Sequence, residues 1–318
     1  MSQLDSSTST NANLSLSRTD LLAILFIVIV WGTNFIAMKW ALLELTPFQT
    51  GAARFACAAL PWLFFYRFPK SHTRWVIIYG LCQGVLQFGC LFVALKIGMT
   101  SSMAAILLQN HVFFTAILAF FLLGERLNRQ SILGLCLAAI GLGIFIAHLL
   151  GAEPLSGASK ITLAGFICTV CAAAFWGTSN IIVRLSKSVG TGYDPFAFLI
   201  WSCTVAVLPL LALSFIFDPV TSHAAWFNIS LRTFLCIIFL GWFATAAAYG
   251  LWTKLLQKYP ANRVAPFSLA VPPVGISAGM FFLGEQIQTL QWLGIAFLLA
   301  AVACVMFGDK LKFLASKP

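Results

Sequence analysis

Acidic residues are scarce. Only nine Asp and Glu stand among 318 residues, against nineteen Lys and Arg, and charges of either sign make up 9% of the chain. A soluble domain carries about 25% charged and about 45–50% apolar residues. Here 60% are hydrophobic and the mean hydropathy is +0.94. That shortage excludes a soluble enzyme, a disordered protein and a nucleic-acid binder. Period-two alternation is also missing from the apolar runs, which excludes a barrel. What is left is an all-α, polytopic membrane protein.

Other absences narrow the chemistry. There is no phosphate-binding glycine loop, no nucleophile elbow, no carboxylate pair and no metal-ligand spacing, so neither an enzyme nor a cofactor is implied. The nine cysteines lie inside apolar runs. Cys168-Thr-Val-Cys171 has neither a second pair nor a nearby His, and reads as packing. None of the nine acids (Asp5, Asp20, Glu44, Glu125, Glu153, Asp194, Asp218, Glu285 and Asp309) lies in a span interior, so coupling through a buried carboxylate is disfavoured. Arg54 is the one strong cation within a span. Phosphorylated solutes generally need clustered Arg or Lys, and that argues against them.

A span takes about 20 apolar residues. Ten are predicted, at about 20–38, 47–66, 75–95, 102–123, 131–150, 162–183, 195–217, 233–252, 262–283 and 290–308. With the N-terminus inside, Arg18, Arg67, Lys70, Arg74, Arg126, Arg129, Arg184, Lys187, Lys254, Lys258, Arg263, Lys310, Lys312 and Lys317 lie on the inner side. Only Lys39, Lys96, Lys160 and Arg232 lie on the outer side. The bias places both termini in the cytoplasm and accounts for the net charge of +10. Residues 1–18 read as a disordered cytoplasmic tail without the basic n-region of a signal peptide, and residues 310–318 as a basic tail.

The chain repeats itself. Trp31-Gly32-Thr33-Asn34 in span 1 recurs 145 residues later as Trp176-Gly177-Thr178-Ser179-Asn180 in span 6. Gly124-Glu125-Arg126-Leu127 after span 4 recurs as Gly284-Glu285-Gln286-Ile287 after span 9. Residues 19–150 and 151–309 are therefore two repeats of five spans. Five is odd, so the halves insert with opposite orientation. Inverted repeats are the architecture of alternating-access transporters, whose solutes bind near the midplane between the halves.

These motifs resemble the EamA family of the drug/metabolite transporter superfamily, over nearly the whole chain after residue 18. Val30–Phe35, Arg54-Phe55, Gln87-Phe88, Leu107-Leu108-Gln109 and Arg263–Leu269 are similar to the members that export O-acetylserine and cysteine. The resemblance implies export of amino acids or related small metabolites across a bacterial inner membrane. It also favours a pore-facing Gln109.

Polar groups in hydrocarbon face a cavity or a partner. Trp31, Asn34, Gln87, Gln109, Trp176, Asn180 and Tyr249 are the candidate substrate-binding residues. Gln83 shares a helix face with Gln87 and reads as glue between helices. Gln109, Asn110 and His111 are consecutive and cannot all face one pore; His111 is the packing member, and also the one core group able to couple protons near neutrality. Pro266 and Pro272 are candidates for a hinge or the cavity lining. Arg54 either pairs with an outer carboxylate such as Glu44, the preferred reading, or attracts a substrate carboxylate. The expected partners are a small-molecule substrate and the lipid bilayer, with no nucleic acid. The small residues of spans 5 and 10 allow a monomer or a homodimer. Alternatives are a facilitative, channel-like pore and an exporter of drugs or other amphiphiles.

Overall fold

Ser17 opens the first helix with a reciprocal cap: its hydroxyl accepts from the Asp20 backbone N–H while the Asp20 carboxylate accepts from the Ser17 N–H. Thr46 and Gln49 repeat the device one helix later, with Pro47 at the first helical position. Asp194, followed by Pro195, and Ser230 cap later helices. The computed structural model describes residues 16–127, 129–151, 161–187, 192–259 and 264–315.

The principal helices among the described residues are α1 (Arg18–Ala41), α2 (Pro47–Leu63), α3 (Lys70–Ile97), α4 (Ser101–Leu123), α5 (Arg129–Gly151), α6 (Leu163–Lys187), α7 (Pro195–Phe217), α8 (Leu231–Leu255), α9 (Phe267–Leu283) and α10 (Thr289–Ala315). Seven of them, α1 and α3 to α8, are long and apolar enough to cross a membrane. Helix α2 has 17 residues and α9 is also short. Helix α10 runs unbroken to Ala315. The expected N-terminal tail lies almost wholly outside the described residues.

Contacts obey a two-fold exchange of the halves. Helix α2 packs on α7, α5 on α10 and α4 on α9, while α1 against α9 and α8 is matched by α6 against α4 and α3. The repeated Trp-Gly-Thr motif has a packing cause. A Cβ on Gly32 would lie 2.5 Å from the Val274 side chain in α9, and one on Gly177 would lie 2.7 Å from Phe114 Cβ in α4. Each glycine lets the first helix of its half cross the other half closely. Local irregularities repeat as well. Both α3 (Gly80–Gln87) and α8 (Phe239–Ala247) carry a π-helical stretch, α4 carries a 3-10 turn at Leu108–Asn110, and 3-10 turns at Ala265–Ala270 lead into α9. Gly124 and Gly284 end α4 and α9 in the left-handed region, at φ +67° and +63°.

The small faces of α5 and α10 are used within the chain. Gly134 and Gly141 meet Ala301, Val305 and Leu298, and Gly294 meets Phe145. Gly80 and Gly84 likewise admit Ser202, Val205 and Ala206 of α7.

Candidate functional site

Where the halves meet, a cavity of about 420 Å³ is walled by α1, α2, α3, α4, α6, α8 and α9. All seven residues expected to bind substrate line it: Trp31, Asn34, Gln87, Gln109, Trp176, Asn180 and Tyr249. Most are held by hydrogen bonds or ring contacts. Trp31 Nε1 donates to the Ala244 carbonyl at 3.1 Å, and its ring rests on Tyr249 and Trp252 at centroid distances of 5.0 and 5.4 Å. Gln109 Nε2 donates to the Ser268 carbonyl at 3.3 Å, and Asn180 Nδ2 to Thr115 Oγ1 at 3.0 Å. Asn34 is buried, and its Oδ1 accepts no hydrogen bond among the described residues.

The π-helical stretches supply the polar flank. Gln83 and Gln87 both lie in that of α3, where Gln83 Nε2 donates to Gln87 Oε1 at 3.0 Å. Gln83 is absent from the wall and accepts from the Ser179 hydroxyl, tying α3 to α6. In α8 the π-helical turn brings Thr245 to Arg54 Nε at 3.1 Å. Widened turns of this kind recur at functional sites because they re-aim side chains and free carbonyls.

Of the consecutive trio, Gln109 and His111 both touch the cavity while Asn110 turns back to the Leu107 carbonyl. His111 stacks on Trp176 with centroids 4.0 Å apart and rings 10° from parallel, and its Nδ1–H donates to the Leu108 carbonyl at 2.9 Å. It thus packs and lines at once. Ser268 and Val271 of α9 reach the wall; Pro272 does not. Pro266 falls within the 3-10 turns that lead into α9, and its side chain lies outside the described set.

Arg54 is 1% exposed and also lines the cavity. The carboxylate considered for it is engaged elsewhere. Glu44 accepts from the Ser230 backbone N–H at 2.7 Å and its hydroxyl at 2.6 Å, with Arg232 at 4.0 Å. Those Ser230 bonds hold the Glu44 carboxyl below its usual range. Trp252, three residues after Tyr249 on one helix face, was missed in the sequence although that spacing marks it. Tyr79 and Phe88 of α3, and Phe35 and Met38 of α1, complete much of the apolar wall.

The repeated Gly-Glu motif has two fates. Glu285 is buried; its carboxylate accepts from the backbone N–H groups of Ser101 and Ser102 at 2.6 and 2.9 Å, and from both hydroxyls. It therefore caps the N-terminus of α4 and pins the end of α9 to it. Glu125 instead pairs with Arg184 at an exposed site.

Comparison with known proteins now bears on this geometry. The model of the EamA-like transporter family matches residues 18–147 and again 163–307. The chain belongs to the EamA-like transporter family. Two relatives, each described as a probable amino-acid metabolite efflux pump, are 33% identical to it. The one from Escherichia coli (strain K12) aligns over 92% of this chain and 96% of its own length. The one from Salmonella typhimurium aligns over 93% and 98%. A solved crystal structure at 15% identity superposes with a TM-score of 0.60 over 92% of this chain and 98% of that one, which speaks for the fold alone. This EamA-like transporter is thus a multi-pass membrane protein and a transporter rather than an enzyme. Its two family repeats meet at the cavity.

Proposed function

We propose that this EamA-like transporter exports amino acids or related small metabolites across a bacterial inner membrane by alternating access. The ten helices act as ten crossings in two inverted five-helix repeats, with both termini in the cytoplasm. The observation that carries this reading is the seam cavity, where amide and aromatic side chains from both repeats converge inside an otherwise apolar bundle. The direction of transport follows the names of the two relatives. At one end of the α4–α9 contact, Glu285 clamps the N-terminus of α4. The end marked by Glu125 and Arg184 is exposed, and by the positive-charge bias it faces the cytoplasm. Exchange of the two Gly-Glu ends between clamped and free states would open the seam to alternate sides.

The test is uptake into proteoliposomes across a panel of amino acids and their metabolites, with a pH gradient imposed or absent. A panel member preloaded inside should accelerate entry of its labelled counterpart. Flux without that acceleration favours a channel-like pore. The aromatic wall of Trp31, Trp176, Tyr249 and Trp252 favours a second cargo class, amphiphilic drugs, which the same panel can include.

A further inference from the structure

We infer that Arg54 is the specificity-determining anchor for a substrate carboxylate, so that the transporter selects single-carboxylate amphiphiles in their free-acid form. The inference rests on the function proposed above and narrows its substrate class. A buried guanidinium needs its five donors answered. Here Nε donates to Thr245, but Nη1 is buried without a hydrogen-bond partner among the described residues. No Asp or Glu lines the cavity among the described residues. The guanidinium carbon sits 4.1 Å from the Phe88 ring centroid, which stabilises the cation without occupying its N–H groups. The planar fork is thus held from one edge by Thr245 and from one face by Phe88, in a cavity that no Lys and no other Arg lines among the described residues. A carboxylate is the group that such a fork accepts in pairs of parallel bonds.

The rest of the wall fits the remainder of an amino acid. The unanswered Asn34 Oδ1 is an acceptor for a substrate N–H. Trp31, Tyr249 and Trp252 offer faces for an ammonium group or an apolar side chain. Among the described residues of the wall, a second substrate carboxylate would find no second Lys or Arg, and a polyamine no acid. Dicarboxylates and polyamines are therefore expected to compete poorly.

The experiment is counterflow in proteoliposomes with labelled L-methionine, L-phenylalanine and O-acetyl-L-serine, each competed by the unlabelled acid and by its carboxamide. For the wild type, the acid should compete about 10- to 100-fold better than the carboxamide, the size expected for losing a charge-assisted hydrogen bond. Arg54→Gln should collapse that ratio to near one by weakening the acid, with the carboxamide unchanged, and Arg54→Lys should restore part of it. Equal competition by acid and carboxamide in the wild type, or a ratio retained in Arg54→Gln, overturns the anchor while leaving the transport reading intact. If Arg54→Gln is not monodisperse, the wild-type ratio decides alone. If no acid of the three is carried or competes, the proposed function itself fails and the anchor falls with it.

Discussion

At the residue scale, the wall divides into side chains with their hydrogen bonds already made and side chains still offering one. Gln83, just behind the wall, has its bonds made. Replacing it with Leu removes the Ser179 bond that ties α6 to α3 and leaves Gln87 Oε1 without its donor within α3, while Ser179 keeps its bond to the Trp176 carbonyl. We expect a loss of about 1–2 kcal/mol of stability with little change in substrate preference. Thermal unfolding in detergent, read beside counterflow, checks both halves of that statement. Asn34 belongs to the second kind, so Asn34→Ala should leave the melting temperature nearly unchanged and weaken substrate binding about tenfold. Unchanged transport in both Asn34→Ala and Gln109→Ala would remove the site assignment. Much of this wall was legible because an amide or indole amid hydrocarbon is conspicuous: Trp31, Asn34, Gln87 and Asn180 needed no fold to be noticed. The destination of Arg54 was not legible. Its reach depends on a π-helical turn bringing Thr245 to it, and neither propensity nor periodicity marks where a helix widens.

Among elements, the apolar run lengths disclosed the helices, and the Gly-Glu repeats disclosed where α4 and α9 end. The unequal fates of those ends could not be read, since Glu125 and Glu285 sit in near-identical motifs. What separates them is the neighbour: a buried pair of serine N–H groups for one and an exposed arginine for the other. Glu285→Gln should therefore loosen the α4–α9 contact and cost about 2–3 kcal/mol, the value of charge-assisted bonds to buried backbone donors. Glu125→Gln should cost well under about 1 kcal/mol, as exposed ion pairs do. Parallel melting curves compare them. The tie between Glu44, just after α1, and Ser230, at the head of α8, adds a pH signature. Its carboxyl is depressed in the folded protein, so its stabilisation is present above the ordinary carboxylate range and is lost as pH falls through the folded value. The melting-temperature gap between wild type and Glu44→Gln should be open at about pH 7 and close on acidification below about pH 4.

For the whole molecule, two packed pairs have different jobs. Helices α5 and α10 meet through glycines whose missing Cβ atoms leave room for Leu298 and Phe145, and they form a fixed strut outside the cavity wall. The α4–α9 pair bears on the cavity and carries the Glu285 clamp, so it is the contact that has to open if the solute is to leave on that side. A cross-link there separates the roles. A Cβ on Gly279 would lie 2.3 Å from Ser102 Oγ, which puts the two Cβ atoms near the separation a disulfide needs. In a background lacking the nine native cysteines, Ser102→Cys with Gly279→Cys should form that bond, arrest counterflow, and release it again on reduction. Binding of L-methionine from the unclamped side should persist in the oxidised protein, because Trp31, Asn34 and Gln109 are left in place. Counterflow that continues at the wild-type rate in fully oxidised protein would show that α4 and α9 never part during transport. The repeats would then have to exchange sides through some other pair of helices.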